Sequence, residues 1–333
     1  MRFGLVGAGR IGAVHARTLM AQPGVELIVA DAAADRARSL ADELGAQHLD
    51  DVDALLAAVD ALVVTAATSA HAGLLTASVE AGLPVFCEKP VAPTVEQTAE
   101  VLSVVQRAGV PVQIGFQRRF DPGFVAAREA VRSGELGWIH TVRAGTCDAA
   151  PPPEDYLPTS GGLFRDCSVH DIDIVRWVTG REVVSVYARG ANHGSDAFRA
   201  CDDVDAGAAL LTLEGGTFAL LSGTRYNARG YDVRLELLGS QDSICVGLED
   251  RLPLRSVEPG ATFPAGPPWQ AFMERFALAY QAEMVAFTKV AAGAEPSACT
   301  VEDALRAALV TEACELSRRE GRPVDVAEIG SAP

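Results

Sequence analysis

The sequence predicts an α/β protein in two parts: a doubly wound parallel sheet, then an α+β domain with a large mixed, mainly antiparallel sheet. Three observations predict it. Gly7-Ala8-Gly9-Arg10-Ile11-Gly12 directly follows the first apolar run. Up to Phe120, apolar runs alternate with alanine-rich stretches of helical length. Beyond Phe120, strand-like runs follow one another across short glycine turns such as Glu214-Gly215-Gly216. At 333 residues the chain exceeds what one core usually serves, so two domains are expected, 1–120 and 121–333.

In the first part, strands are expected at residues 3–6, 27–30, 61–65, 85–86 and 112–116, and helices at 13–22, 33–44, 72–80 and 95–107. Strands alternating with helices of that length imply βαβ units and parallel pairing. In the second part, a helix at 124–132 precedes three prolines, Pro151 to Pro153, and a helix at 170–178. Strands are expected at 183–189, 206–213, 218–225, 231–238 and 244–246. Their short connections suggest antiparallel or mixed pairing. Two helices, near 271–292 and 301–319, close the chain.

Composition narrows the function. Hydrophobic residues make up 49% and charged ones 22%, an ordinary globular balance. The net charge of −16 would repel nucleic acid and anionic membrane, so neither is an expected partner. No apolar run reaches the length of a membrane span. The chain enters a strand at once, with no charged segment and apolar core ahead of it, so no secretory leader is expected. Seven cysteines without a Cys-x-x-Cys spacing indicate neither a disulfide framework nor a zinc ribbon. A cytoplasmic protein is the expectation.

The glycine motif sits where a strand hands over to a helix. Glycine there permits a tight turn, close approach of a pyrophosphate and tight helix–strand packing, while the helix N-terminus favours the anion. Gly7, Gly9, Arg10, Ile11 and Gly12 are therefore expected cofactor contacts in a Rossmann-type domain. Asp31 ends the second strand 19 residues after Gly12, the spacing of the acidic residue that accepts the adenosine ribose hydroxyls. Its charge would repel a 2′-phosphate, and Ala32 to Ala34 supply no cation; Arg36 is the nearest one in sequence. NAD rather than NADP is the expected cofactor.

Two further sites carry chemistry. The chain has only two lysines, Lys89 and Lys289, against 26 arginines. Lys89 stands in Cys87-Glu88-Lys89-Pro90, at the end of an expected strand. A compact ammonium with rotatable donors suits a group that holds a reacting hydroxyl; an ordinary solvent-exposed lysine fits the local sequence equally well. The second site is the block from Gly161 to Asp173. If 166–173 is helical, Asp166 and His170 stand at i and i+4, with Asp173 three residues further on the same face and Asp171 pointing elsewhere. A carboxylate so placed can orient an imidazole that takes a proton. A solvated ion pair and a pair of metal ligands would show the same spacing. A third nitrogen or sulfur ligand at motif spacing is missing, so no metal is expected.

Together these residues resemble the glucose–fructose oxidoreductase/inositol dehydrogenase/MocA family. The glycine motif and Glu88-Lys89-Pro90 are shared across that family. Gly115-Phe116-Gln117-Arg118-Arg119-Phe120-Asp121, His170-Asp171-Ile172-Asp173, Gly230-Tyr231-Asp232-Val233-Arg234 and Phe272-Met273-Glu274-Arg275-Phe276 are similar to its inositol 2-dehydrogenase branch. The resemblance implies an NAD-dependent enzyme that takes a hydride from a ring hydroxyl of a cyclic polyol. It implies Lys89 on the reacting hydroxyl, His170 as base, Asp166 orienting His170, and Glu88 beside the cofactor. Arg119, Asp173 and Tyr231 would bind the other hydroxyls. It further implies a homo-oligomer, tetramer or dimer, built through the second domain's sheet. An aldose or sugar-derivative dehydrogenase and a non-catalytic dinucleotide-binding regulator are the alternatives within the family; loss of the lysine or histidine would mark the regulator. The chain departs from the branch at Thr146-Cys147-Asp148-Ala149-Ala150-Pro151, which bears on the substrate and not on the hydride chemistry.

Overall fold

Strand β1 (Arg2–Val6) is buried from Phe3 onward, as a parallel strand covered on both faces must be. It lies at the centre of a six-stranded sheet with β2 (Glu26–Ala30), β3 (Gln47–His48), β4 (Ala61–Val64), β5 (Val85–Glu88) and β6 (Val112–Gly115). The order is β3-β2-β1-β4-β5-β6, and every pairing is parallel. The connecting helices are α1 (Arg10–Met20), α2 (Ala34–Leu44), α3 (Val52–Ala58), α4 (Thr68–Glu80) and α5 (Val95–Ala108). Asp51 and Thr94 cap α3 and α5 by accepting main-chain N–H groups. The short pair β3 and α3 goes beyond the sequence expectation, since two strand residues carry no readable period.

The second half begins with α6 (Pro122–Ser133), capped by Asp121 with proline in its first turn. Next come β7 (Ile139–Cys147), α7 (Leu157–Ser160), a π-helical turn at Phe164–Ser168, α8 (Val169–Thr179), β8 (Val183–Ala191) and α9 (Ala197–Ala200). Then follow β9 (Ala206–Leu213), β10 (Phe218–Thr224), β11 (Asp232–Gly239), β12 (Ser243–Val246) and α10 (Phe272–Arg275). The chain closes with α11 (Ala277–Ala291), α12 (Val301–Glu320), β13 (Val324–Asp325) and α13 (Val326–Gly330). The seven-stranded sheet runs β12-β11-β7-β10-β9-β8-β13, and β7 with β10 is its one parallel pair among the described residues. Strand β7 was not expected from the sequence, and the expected helix over 271–292 is broken at Phe276 into α10 and α11.

This computed structural model describes residues 1–330, and the chain falls into two units. One is Met1–Phe120 with Leu278–Arg306; the other is Asp121–Ala277 with the chain from Ala307 onward. The first boundary lies after Phe120, but 278–306 belongs with the first unit and not with 121–333. The reason is apolar burial: Met284, Phe287 and Val290 of α11 share one core with Phe3, Leu5, Val63 and Phe86. Phe287 meets Phe3 at 6.0 Å and Phe86 at 5.7 Å between ring centroids. In the second unit one sheet face is buried through Val186, Ala188, Leu211, Ala219 and Leu221.

Candidate active site

In the first unit the glycine turn is built around two close approaches. A Cβ on Gly12 would stand 1.9 Å from the Gly7 carbonyl oxygen, so α1 can start against the turn only with glycine at this position. Gly7 has φ +108°, and a Cβ there would meet the main chain of Thr65 and Ala66 at 2.4 Å. The Thr65 hydroxyl donates to the Gly7 carbonyl at 2.6 Å and fixes the turn. Gly9 precedes α1 with no side-chain cap, and nothing lies within 4 Å of where its Cβ would be. A helix N-terminus behind an uncrowded glycine, with Arg10 and Ile11 in its first turn, is the donor set a pyrophosphate requires. These residues fit a dinucleotide.

Asp31 stands at the end of β2 and is committed to the same turn. Its Oδ2 accepts the Ala8 N–H at 2.7 Å and its Oδ1 the Ala33 N–H at 2.8 Å. Arg36 Nη1 lies 3.6 Å from Oδ2, so this cation does reach the carboxylate. The pairing offsets part of the repulsion that Asp31 would exert on a 2′-phosphate.

Lys89 follows the last residue of β5 and is half-buried. The preceding carboxylate, Glu88, lies against His15 Nε2 at 2.8 Å. His71 sits buried between two carbonyl oxygens, Pro90 O at 2.7 Å from Nδ1 and Ala66 O at 3.0 Å from Nε2, which ties the turn after Lys89 to α4. Arg119 occupies a short 3₁₀ turn, Gln117–Phe120. Its guanidinium donates to the Ala298 carbonyl at 2.8 Å and lies 3.3 Å from Asp303 Oδ1. Burial raises the Asp303 carboxyl, but Arg119 and the hydrogen bonds from Thr300 outweigh it and leave the group below its usual range. Arg119 therefore anchors Ala298 and Asp303 within the first unit.

In the second unit Asp166 lies in the π turn and not in an uninterrupted α-helix. Gly161 and Gly162 lead into it at φ +80° and +93°, and a Cβ on Gly162 would press on Asp203 Oδ1 at 3.0 Å. The wider i→i+5 turn is a feature met at functional sites. Asp166 Oδ2 pairs with Arg225 Nη2 at 2.8 Å, and Oδ1 accepts the Tyr156 hydroxyl at 3.1 Å. Arg225 Nη1 also reaches Asp148 Oδ2 at 2.9 Å and Cys167 Sγ at 2.8 Å. Burial works against the Arg225 charge, but Cys167, Asp166 and Asp148 more than restore it. Burial, then the neighbouring Asp166, raises the Tyr156 hydroxyl, which stays protonated and donates.

His170 opens the first turn of α8 and is partly exposed. Asp171 points inward, where both carboxylate oxygens accept the Thr146 hydroxyl at 2.9 Å. Asp173 is buried on the same helix. The Tyr231 ring is buried with its edge toward Phe272 and Phe276, each 6.5 Å away. Arg275, between those two phenylalanines, pairs with Asp121 Oδ2 at 2.8 Å, so Asp121 and Arg275 serve the scaffold. Cys147 is no thiolate: burial, then Asp232 and Asp171, push its pKa up to about 12. Sequence reading missed Arg225 and Tyr156. Nothing local distinguishes Arg225 from the other arginines, and Tyr156 follows an irregular proline segment.

Comparison with known proteins covers both units. A family model described as "Oxidoreductase family, NAD-binding Rossmann fold" matches residues 1–116, and one described as "GFO/IDH/MocA C-terminal domain" matches 124–245. The chain is 41% identical over 319 residues to the myo-inositol dehydrogenase Hyg17 of Streptomyces leeuwenhoekii, covering 94% of this chain and 96% of that one. Among solved structures, a myo-inositol dehydrogenase of Corynebacterium glutamicum superposes with a TM-score of 0.90 at 34% identity, covering 98% of each chain. A scyllo-inositol dehydrogenase of Lactobacillus casei, with bound NAD(H) and scyllo-inositol, does so at 0.87 and 30%, covering 98% of this chain and 99% of that one.

Proposed function

Because the chain belongs to the glucose–fructose oxidoreductase/inositol dehydrogenase/MocA family, we propose that its own side chains carry out the family's hydride transfer as follows. The protein is an NAD-dependent oxidoreductase acting on a ring CH–OH of a cyclic polyol, an inositol. NAD, when bound, supplies the hydride acceptor. The Lys89 ammonium hydrogen-bonds the reacting oxygen and stabilises its alkoxide character as the proton leaves. His170 takes that proton in oxidation and returns it in reduction. Asp166, held by Arg225 and Tyr156, meets the substrate as a carboxylate whose orientation is set in advance. Arg119, Asp173 and Tyr231 bind the remaining hydroxyls. Gly7, Gly9, Arg10, Ile11, Gly12 and Asp31 hold the cofactor.

The observation that carries this reading is the doubly held Asp166. A buried arginine and a protonated phenol directed at one partly buried carboxylate fit a catalytic group better than a solvated one.

The outer face of the second sheet supports a homo-oligomer, tetramer or dimer. Val184, Tyr187, Leu210, Phe218 and Leu220 are exposed on β8, β9 and β10, and Tyr187 and Leu220 both pair with Leu210 across the strands. A contiguous apolar row of this kind marks an interface. Among the described residues no helix is long and apolar enough to cross a membrane. The seven free cysteines suit the reducing cytoplasm.

The test is reduction of NAD and of NADP against myo-, scyllo- and chiro-inositol, glucose, xylose and galactose. NAD-dependent turnover of one inositol is expected. Turnover of an aldose alone would move the substrate, and tight NAD binding without turnover on any of them would favour the regulator.

A further inference from the structure

His15, Glu88 and Glu283 come together inside the first unit, and the hydride transfer assigned above leaves His15 and Glu283 without a task. Their nitrogen and oxygen atoms lie within 4.8 Å of one another. His15, on α1, is fully buried, its ring edge-on to Phe86 at 5.0 Å and Tyr280 at 5.8 Å. Its Nε2 lies 2.8 Å from Glu88 Oε1, while its Nδ1 is buried with no partner among the described residues. The Nε2–H tautomer satisfies this ring; a second proton, on Nδ1, would be a buried donor without an acceptor. The other oxygen of Glu88, Oε2, accepts the main-chain N–H of Lys89 at 3.3 Å. Both oxygens of Glu88 are thus engaged by protein.

Gly115 makes room for this arrangement. A Cβ there would stand 2.8 Å from Glu88 Oε2 and 3.0 Å from its Cδ. Glu283, on α11, is fully buried, and neither of its oxygens has a hydrogen-bond partner among the described residues. Its main-chain carbonyl accepts Gln113 Nε2 at 3.0 Å, which pins this turn of α11 to β6. Titratable groups close by include Tyr280, against the His15 ring, and Cys87, whose thiol is raised by burial and then by Glu88. Burial first, and then the charge of Glu88, hold the Glu283 carboxyl well above its usual range. Two bare carboxylates this close in an apolar core need an offsetting charge. A metal ion would require a fourth ligand, and the ring of His15 is flanked by Phe86 and Tyr280. A single proton requires none.

We propose that Glu88 is a positioning residue of Lys89 and not a cofactor contact: His15 fixes one of its oxygens, the other clamps the Lys89 main chain, and Glu283 stands behind it as a neutral acid. This deepens the function proposed above and rests on its assignment of Lys89 to the reacting hydroxyl.

The two-lysine composition gives a direct readout. With ¹³C-labelled lysine the NAD-bound protein shows two side-chain signals, assigned by Lys89→Met and Lys289→Arg, and the chemical shift of the Lys89 signal reports where that side chain sits. Glu88→Gln should move this signal at fixed pH, because the clamp on the Lys89 main chain is loosened. The same variant should cut kcat by about tenfold to a hundredfold through a misplaced lysine, with the Kd for NAD unchanged. Glu283→Gln, isosteric with the neutral acid, should leave the signal in place. Gly115→Ala crowds Oε2 without altering any charge and should reproduce the kcat loss. A Lys89 signal moved equally by Glu283→Gln and Glu88→Gln would overturn the neutral acid. So would one equivalent of divalent metal in the purified protein that Glu283→Gln removes. Weakened NAD binding with unchanged kcat in Glu88→Gln, or wild-type kcat in folded Gly115→Ala, would overturn the clamp. Full turnover in Lys89→Met would instead sink the role of Lys89 itself and leave the chemical-shift results standing.

Discussion

The two units hold their functional carboxylates by opposite means. In the second, Asp166 and Asp148 are gathered around one buried guanidinium, Arg225. In the first, Glu88 is gathered with a histidine and a second glutamate. A guanidinium is charged at every working pH and offers a rigid fork, so it fixes both charge and direction. A histidine and an acid fix direction while their charge depends on a proton. The second arrangement suits a carboxylate that faces substrate. The first suits one that only has to place its neighbour.

The comparison can be broken most forcefully at the reacting groups. Lys89→Met and His170→Ala should each lower kcat by about 10²–10⁴-fold, with NAD affinity unchanged, in a steady-state assay with separate binding measurements. His170→Ala should also erase the rising limb of oxidation rate against pH. A smaller but still large effect is expected from Arg225→Met, which removes the buried cation of the partly buried Asp166 and Asp148. It should cost about 3–5 kcal/mol of folding stability, read from urea midpoints, because one partner of a buried pair has been removed. Arg225→Lys should recover part of the stability but little of the turnover, since an ammonium cannot hold Asp166 and Asp148 in one fork.

Asp31→Ala should narrow the preference for NAD over NADP by leaving Arg36 free to meet a 2′-phosphate; an unchanged ratio of kcat/KM values would place the ribose elsewhere. The mildest effect concerns Asp303, whose pKa the fold depresses. Its stabilising pairing with Arg119 is fully present above the ordinary aspartate range and is lost as pH falls through the lower folded value. Asp303→Asn should flatten that acid-side loss in urea midpoints measured between about pH 5 and 2.

How much of this was legible in the sequence follows from the range over which each feature is determined. The glycine turn and the parallel sheet were legible because their signals are local: a fixed glycine spacing and apolar runs between alanine-rich helices. Lys89 stood out by composition. Strand β7 was not legible, because Ile139, Val142 and Ala144 do not alternate cleanly and Arg143 and Gly145 interrupt them. The π turn at Asp166 was not legible either, since an added residue in a helix leaves no periodic trace. Arg225 lies 59 residues from Asp166, and such partners are chosen by sheet packing alone. Arg119 shows the converse: its motif was readable, but the groups it meets, Ala298 and Asp303, come from far along the chain.

The return of 278–306 to the first unit has a consequence for synthesis on the ribosome. The six strands of the first sheet have all emerged by residue 120, yet Met284, Phe287 and Val290 lie beyond the 157 residues of segment 121–277. At about 5–20 residues per second this delay is about 10–30 s. For that interval Phe3 and Phe86 lack their aromatic partner and present an apolar face. The nascent chain is therefore a natural client for chaperones until α11 emerges.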